Sequence, residues 1–359
     1  MRVVVFPADK LGCGYLRMIA PAEVLASQGH DVRIITASDR RVTLHVEGDV
    51  VKDVQIDTDV VVFQRLTHPL MVQAVSVLRS KGVAVVVDVD DDLTAIHPSN
   101  PAWDGLHPNR ITRRKNNTPR THSWRNLSTA CRDATLVTVS TPALLSVYAQ
   151  HGRGRVLRNC LPPGFADLTH APTDPTEIVW PASYHSHPND PDALGGSISR
   201  LVNEGAPFRM IGDPIGAGVA FGLESDPVGM GVPLEQWPTA LSGIGIGIAP
   251  LADTKFNRAK SWLKPLELCA AGVPWVASPR EEYVRLHKEG AGILAERSRS
   301  WYRELARLQG SESLRSELSD AGRSVAARWM LTDHAWRWAD AWQEAMVLQN
   351  KGSPVSSVR

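Results

Sequence analysis

Along the first 150 residues the apolar positions come in short unbroken runs, each closed by a turn signal. Residues 3–6 run into Pro7, residues 31–36 follow Gly29, residues 59–63 and 83–89 are dominated by valine, and residues 136–140 complete the series. Runs of this length, β-branched and without polar alternation, predict parallel strands covered on both faces. Between them the period becomes helical: residues 19–27, closed by Gly29, residues 69–80, and a helix opened by Thr141-Pro142 that reaches about Gln150. Strand, helix and strand repeated in this way predict a doubly wound α/β fold.

A seam rich in glycine and proline and poor in periodicity follows at residues 151–175, and then the alternation starts again. Strands are predicted at 177–180, 208–211, 244–249 and 273–277, with helices at 196–203 and 260–271. From Trp301 onward the chain is helical and heavily charged, and Trp329, Trp336, Trp338 and Trp342 read as packing residues. The pattern therefore predicts two facing Rossmann-like domains with mostly parallel sheets, 1–160 and 161–332. A terminal helix at 333–350 docks across the domains and a frayed tail occupies 351–359. A cleft between such halves is the expected site, because parallel strands direct their C-terminal loops and helix N-termini there.

Length and charge narrow the reading. The chain has 359 residues, enough for two domains. Its 39 Lys and Arg against 38 Asp and Glu exclude a uniformly cationic body or an acidic tail, and 43% hydrophobic residues exclude a disordered chain. Cys13, Cys131, Cys160 and Cys269 are too far apart for a structural zinc site or a paired redox motif, which fits a reduced, cytoplasmic protein. The N-terminal apolar run is too short for a signal peptide, and no stretch is long and apolar enough to span a membrane.

The most informative segment is FNRAKSWLKPLELCAAGVPWVAS, residues 256–278. On a helix over 260–271, Lys260, Lys264 and Glu267 share a face. Two lysines beside the free N–H groups of a helix start suit a diphosphate, and a carboxylate further on suits the vicinal hydroxyls of a sugar. On spacing alone the same residues also describe an amphipathic helix with a Lys264–Glu267 surface pair. With its surroundings, the segment resembles the donor domain of the retaining nucleotide-sugar glycosyltransferases of the B-type fold, the family-four-like superfamily, especially its small phage and actinobacterial branch. The resemblance extends over about residues 1 to 345. It implies that Glu267 holds the donor ribose and that Asn257, Lys260, Ser261 and Lys264 share the diphosphate and sugar. It also implies a nucleotide-diphosphate sugar as substrate, no tightly bound cofactor and retention of anomeric configuration. The family's usual first glutamate is replaced here by Ala259.

Further segments carry the resemblance. GCGYLR places Gly12, Gly14 and Arg17 in the loop after the first strand, where two glycines permit close backbone approach and Arg17 is expected to face an anion. WPASYHSHPND resembles the first strand and loop of the donor domain, making Ser183, His187 and Asp190 cleft candidates able to bond phosphate oxygens. Gly212-Asp213 resembles a cleft-facing turn, with Asp213 on the donor side. DVDDD supplies Asp88, Asp90, Asp91 and Asp92. Its carboxylates have the chemistry for Mg²⁺ or Mn²⁺, but a B-type enzyme handles diphosphate charge with helix dipoles and lysines. The expectation is acceptor positioning and no metal.

Between Gly105 and Arg132 there is no acidic residue, and Arg110, Arg113, Arg114, Lys115, Arg120, Arg125 and Arg132 give the stretch a charge of +7. Such a loop suits a polyanion. A phage-like transferase carrying it points to hydroxymethylated DNA as acceptor, in the host cytoplasm if phage-encoded. Protein, lipid and surface-glycan acceptors are the alternatives, and an inactive nucleotide-sugar or nucleic-acid binding module is the alternative of a different class. GCGYLR is not a GxGxxG dinucleotide loop, which argues against a dehydrogenase.

Overall fold

The computed structural model describes residues 1–35, 42–100, 102–106 and 123–352. It resolves the chain into two compact units. One comprises Met1–Ala95, Ala102–Asn159 and the stretch from Leu331, and the other Ile96–Pro101 and Cys160–Met330.

The first unit carries the strands β1 (Arg2–Phe6), β2 (Asp31–Ile34), β5 (Val60–Gln64), β6 (Ala84–Val89), β7 (Leu136–Val139) and β8 (Gly154–Val156), all parallel, in the order β2-β1-β5-β6-β7-β8. The valine runs form the centre of this sheet: every residue of β5 and β6 is buried. An antiparallel hairpin, β3 (Thr43–Glu47) and β4 (Val50–Gln55), stands outside the sheet. Its alternation is weak, since only Val51 and Val54 are buried, and the sequence pattern did not reveal it. The C-terminal helix Trp336–Gly352 belongs to this unit. It buries Trp338 and Trp342 and leaves Trp336 exposed.

The second unit carries β9 (Ile178–Trp180), β10 (Phe208–Met210), β11 (Val228–Gly229), β12 (Ile246–Ala249), β13 (Trp275–Ala277) and β14 (Ile293–Leu294), again all parallel, in the order β11-β10-β9-β12-β13-β14. Strand alternation gives this sheet two cores. Ile178, Trp180, Ile246, Ile248 and Val276 pack on one face with Trp301, Leu305 and Leu308 of the helix Ser298–Gly310. Val179, Ala249, Trp275 and Ala277 pack on the other with Trp262, Leu266 and Val325. The α/β class read from the sequence is thus the observed one, twice over.

In each sheet the strand order reverses once, between β1 and β5 in the first unit and between β9 and β12 in the second. The loops at the carboxyl ends of the strands beside such a reversal diverge and leave a crevice, which is where doubly wound folds hold their ligands.

Candidate functional site

The crevice of the second unit is built by the loops that follow β9, β10 and β12. After β12 the chain makes a short helix, Lys255–Arg258, capped by Thr254, whose hydroxyl accepts from Asn257 N at 3.1 Å. A second helix, Leu263–Ala270, begins after a break. The helix expected over 260–271 is therefore shorter at its start, beginning only at Leu263, and Pro265 is the reason. In a helix begun at Lys260 the proline would fall in the interior, lacking its N–H and striking the preceding turn. Started at Leu263, the helix meets Pro265 within its first turn, where no N–H partner exists. Lys260 thus lies in the break, its ammonium 4.4 Å from the centroid of the Phe256 ring. Lys264 and Glu267 occupy successive turns of the second helix, and Ser261 precedes it, its Oγ 3.5 Å from Leu263 N.

Three loops are stitched together over this break. Asp190, only 2% exposed, accepts from Ala252 N at 3.1 Å and Asn257 Nδ2 at 2.7 Å, and its other oxygen pairs with His187 Nδ1 at 2.7 Å. Lys264 Nζ donates to the carbonyl of Pro181, the residue after β9, at 2.5 Å. Ser183 Oγ accepts from Asp213 N at 3.0 Å, tying the β9 loop to the β10 loop. Gly212 allows that approach: at φ +148° a Cβ there would lie 2.5 Å from the Ala182 carbonyl. Asn257, Lys260, Lys264, Glu267, Ser183, His187 and Asp213 all fall on these loops and this helix. Asp190, a cleft candidate with them, is the hub, and one residue outside the candidates also takes part: Trp237, whose indole N–H donates to Glu267 Oε2 at 3.2 Å.

The electrostatics of this cluster are unsettled in a way that suits a ligand. Burial pushes the Lys264 ammonium down to about 8, against the attraction of Glu267 and Asp190. Burial pushes the Glu267 carboxyl up to about 7, against Lys264 and the Trp237 indole. His187 is lowered, by burial first and then by Lys264 and Lys260, with Asp190 opposing. A lysine that is costly to keep charged gains most from an incoming anion, and an anion of two phosphates matches two lysines, Lys264 in the first turn of the helix and Lys260 in the break before it.

In the first unit Arg17 and the DVDDD carboxylates are bonded to protein partners. Arg17, expected to face an anion, is 1% exposed and makes a bidentate pair with Asp88, at 3.0 and 2.6 Å. It also donates to Asn159 Oδ1 at 2.9 Å and lies 5.6 Å from the Trp338 ring centroid. Asp88, fully buried, accepts from Thr138 Oγ1 at 2.7 Å as well. Asp90 and Asp91 share the guanidinium of Arg65, with Nη2 2.7 Å from Asp90 and 3.1 Å from Asp91, and Asp92 accepts from Thr94 N at 3.1 Å. The DVDDD carboxylates are thus distributed to separate partners. Among the described residues no group of three or more His, Cys, Asp or Glu has a metal-holding arrangement. Gly14 must be glycine, because a Cβ would lie 1.8 Å from the Asp9 carbonyl oxygen, whereas Gly12 faces open space. Of the basic stretch, Arg125 stacks 5.4 Å from the Trp124 ring centroid and Arg132 pairs with Asp133 at 2.8 Å. Arg110, Arg113, Arg114, Lys115 and Arg120 lie outside the described residues.

Known proteins extend the comparison at the level of fold. No protein-family model matches the sequence, and no curated protein matches it. Among solved structures, Anabaena Alr3699/HepE in complex with UDP and glucose superposes with a TM-score of 0.63 at 13% identity, over 96% of this chain and 99% of that one. Sucrose-phosphate synthase from Thermosynechococcus elongatus gives 0.62 at 12% identity, over 97% and 100%. A glycosyltransferase from Rickettsia africae gives 0.59 at 14% identity, over 98% and 99%. The two parallel six-stranded sheets and these neighbours define the class of protein: the chain has the B-type glycosyltransferase fold. Among the described residues no helix is long and apolar enough to cross a membrane.

Proposed function

We propose that the protein is a glycosyltransferase that takes a sugar from a nucleotide-diphosphate sugar and places it on an acceptor hydroxyl with retention. The observation that carries the reading is the desolvated Lys264–Glu267 pair at the strand-order reversal of the second unit, with Lys260 beside it. Lys264 and Lys260 hold the diphosphate and take up the charge that develops on it as the glycosidic bond breaks. Glu267, oriented by Trp237, accepts from the ribose hydroxyls. No side chain is assigned as a nucleophile, so the acceptor oxygen attacks the face that the leaving phosphate vacates and hands its proton to that phosphate. Transfer proceeds without a metal ion and in the cytoplasm. UDP and glucose in the HepE complex make UDP-sugars the first donors to try.

The test is mass spectrometry of products from a donor panel, followed by Glu267→Gln. This variant is expected to lose discrimination between ribosyl and 2′-deoxyribosyl donors. Equal discrimination in a folded Glu267→Gln protein overturns the ribose assignment, and activity abolished by chelation and restored by Mn²⁺ overturns metal independence. The +7 stretch at residues 105–132 favours hydroxymethylated DNA as acceptor. A labelled panel of unmodified DNA, hydroxymethylated DNA, protein and lipid decides it, and transfer to protein or lipid with none to DNA removes the DNA acceptor.

A further inference from the structure

The ring of His187 is oriented before any ligand arrives. Asp190 commits Oδ1 to two N–H donors, Ala252 N and Asn257 Nδ2, and turns Oδ2 to His187 Nδ1 at 2.7 Å. A carboxylate oxygen offers only lone pairs, so the imidazole proton sits on Nδ1 and the neutral ring presents a lone pair at Nε2. The ring side chain is 19% exposed, and no group among the described residues bonds Nε2. Burial and the two lysines oppose a second proton on the ring. An imidazole in that state does not donate to a phosphate oxygen. It accepts from a hydroxyl.

The neighbours of each group fix where that hydroxyl lies. Lys264 Nζ bonds the Pro181 carbonyl of the loop that carries His187, whereas Glu267 lies about one turn further along the helix Leu263–Ala270 and is bonded by Trp237 from another helix. Along these contacts Lys264 lies on the His187 side of Glu267. With the ribose on Glu267 and the diphosphate on the lysines, as in the proposed function on which this step rests, the group beyond the diphosphate is the transferred sugar. We propose that His187, with Asp190 as its positioning residue, selects the donor by accepting a hydrogen bond from a hydroxyl of the transferred sugar.

Asp190→Asn is the discriminating change. It keeps an acceptor at Oδ1 for Ala252 and Asn257 and puts an NH₂ group where Oδ2 was, so the His187 proton moves to Nε2. Long-range ¹H–¹⁵N spectra of the unliganded protein at neutral pH are expected to show Nδ1–H in the wild type and Nε2–H in Asp190→Asn. Calorimetry then compares the tightest binder among uridine, guanosine and thymidine diphosphates with its glucose conjugate. Asp190→Asn and His187→Lys are expected to lose about tenfold in affinity for the conjugate and less than about threefold for the diphosphate, while His187→Gln, which restores an acceptor, keeps both. Nε2–H or imidazolium in the wild type overturns the proposal. So does equal loss on both ligands, or His187→Lys binding the conjugate as well as the wild type. If the folded wild type shows Nδ1–H yet binds none of these ligands, the donor reading falls and takes the sugar hydroxyl with it, while the His187–Asp190 geometry stands.

Discussion

The two units share a sheet plan and treat buried charge in opposite ways. At the strand ends of the first, Arg17 is matched to Asp88 and Arg65 to Asp90 and Asp91, each with bonds at hydrogen-bond distance, while Thr138 also donates to Asp88 and Thr94 to Asp92. In the crevice of the second, Lys264 and Glu267 are buried with so little compensation that their ionisations are pushed toward each other. The first arrangement is complete without a ligand and acts as a clamp. The second, on the function proposed above, gains from one. In the sequence DVDDD looks the more chemical of the two, yet its carboxylates are matched by protein partners, whereas the burial of charge is unbalanced at Lys264 and Glu267.

The largest effect should come from breaking the clamp. Arg17→Met leaves Asp88 buried and unpaired, and removing one partner of such a pair typically costs about 3–5 kcal/mol. Denaturant unfolding is expected to show a loss of that order, while the protein that remains folded binds donor as before. A loss below about 1 kcal/mol, the range of exposed pairs, would make the two units alike. Lys264→Met sharpens the contrast from the other side. It removes a charge-assisted contact to the diphosphate, so donor affinity should fall about 10- to 100-fold with little change in unfolding midpoint. A large drop in stability with unchanged affinity would place Lys264 among the clamps.

The fold was legible because its signals are local: β5 and β6 are valine-rich apolar runs, and β1 and β12 run directly into Pro7 and Pro250. Lys264 and Glu267 were legible because one helix turn fixes their spacing. What was not legible depended on distance in sequence. Arg17 meets Asp88 across 71 positions and Asp190 meets Asn257 across 67, and no pattern within either segment announces the pairing. Trp237 reaches Glu267 from a separate helix. The one local signal misread was Pro265, which marks the first turn of Leu263–Ala270 and so excludes Lys260 from it. The hairpin Thr43–Glu47 and Val50–Gln55 was missed because it buries too few residues to alternate clearly.

The comparison also has a pH signature. The proposed donor site uses Glu267 ionised and Lys264 charged, and on that proposal affinity is expected to be highest between about 7 and about 8. Outside that window it should fall by up to about tenfold per pH unit. Because a bound diphosphate restores the ammonium, binding above about 8 takes up a proton, which calorimetry in buffers of different ionisation enthalpy reads directly. The stability signs are opposite for the two groups. Glu267, raised in the folded state, favours folding at low pH and loses that contribution as pH rises through about 7. Lys264, lowered, penalises folding below about 8 and releases the penalty as pH rises from about 8 toward 10.5. The wild type minus a Lys264→Met, Glu267→Gln double variant should therefore dip in stability between about 7 and about 8, and a flat difference would show that the pair is as settled as Arg17 and Asp88.

The smallest change tests how the crevice orients its carboxylate. Trp237→Phe keeps the ring and removes only the N–H that donates to Glu267 Oε2 at 3.2 Å. Losing one such bond is worth about 0.5–1.5 kcal/mol, so donor affinity should weaken about 3- to 10-fold. The indole lowers the Glu267 ionisation, so without it the acid limb of the affinity profile moves up from about 7, toward the alkaline limb. A merely structural tryptophan would change the unfolding midpoint and leave that limb in place. Movement of the acid limb without the alkaline one is the result expected of a group that acts through Glu267, because Lys264 holds its own bond to the Pro181 carbonyl.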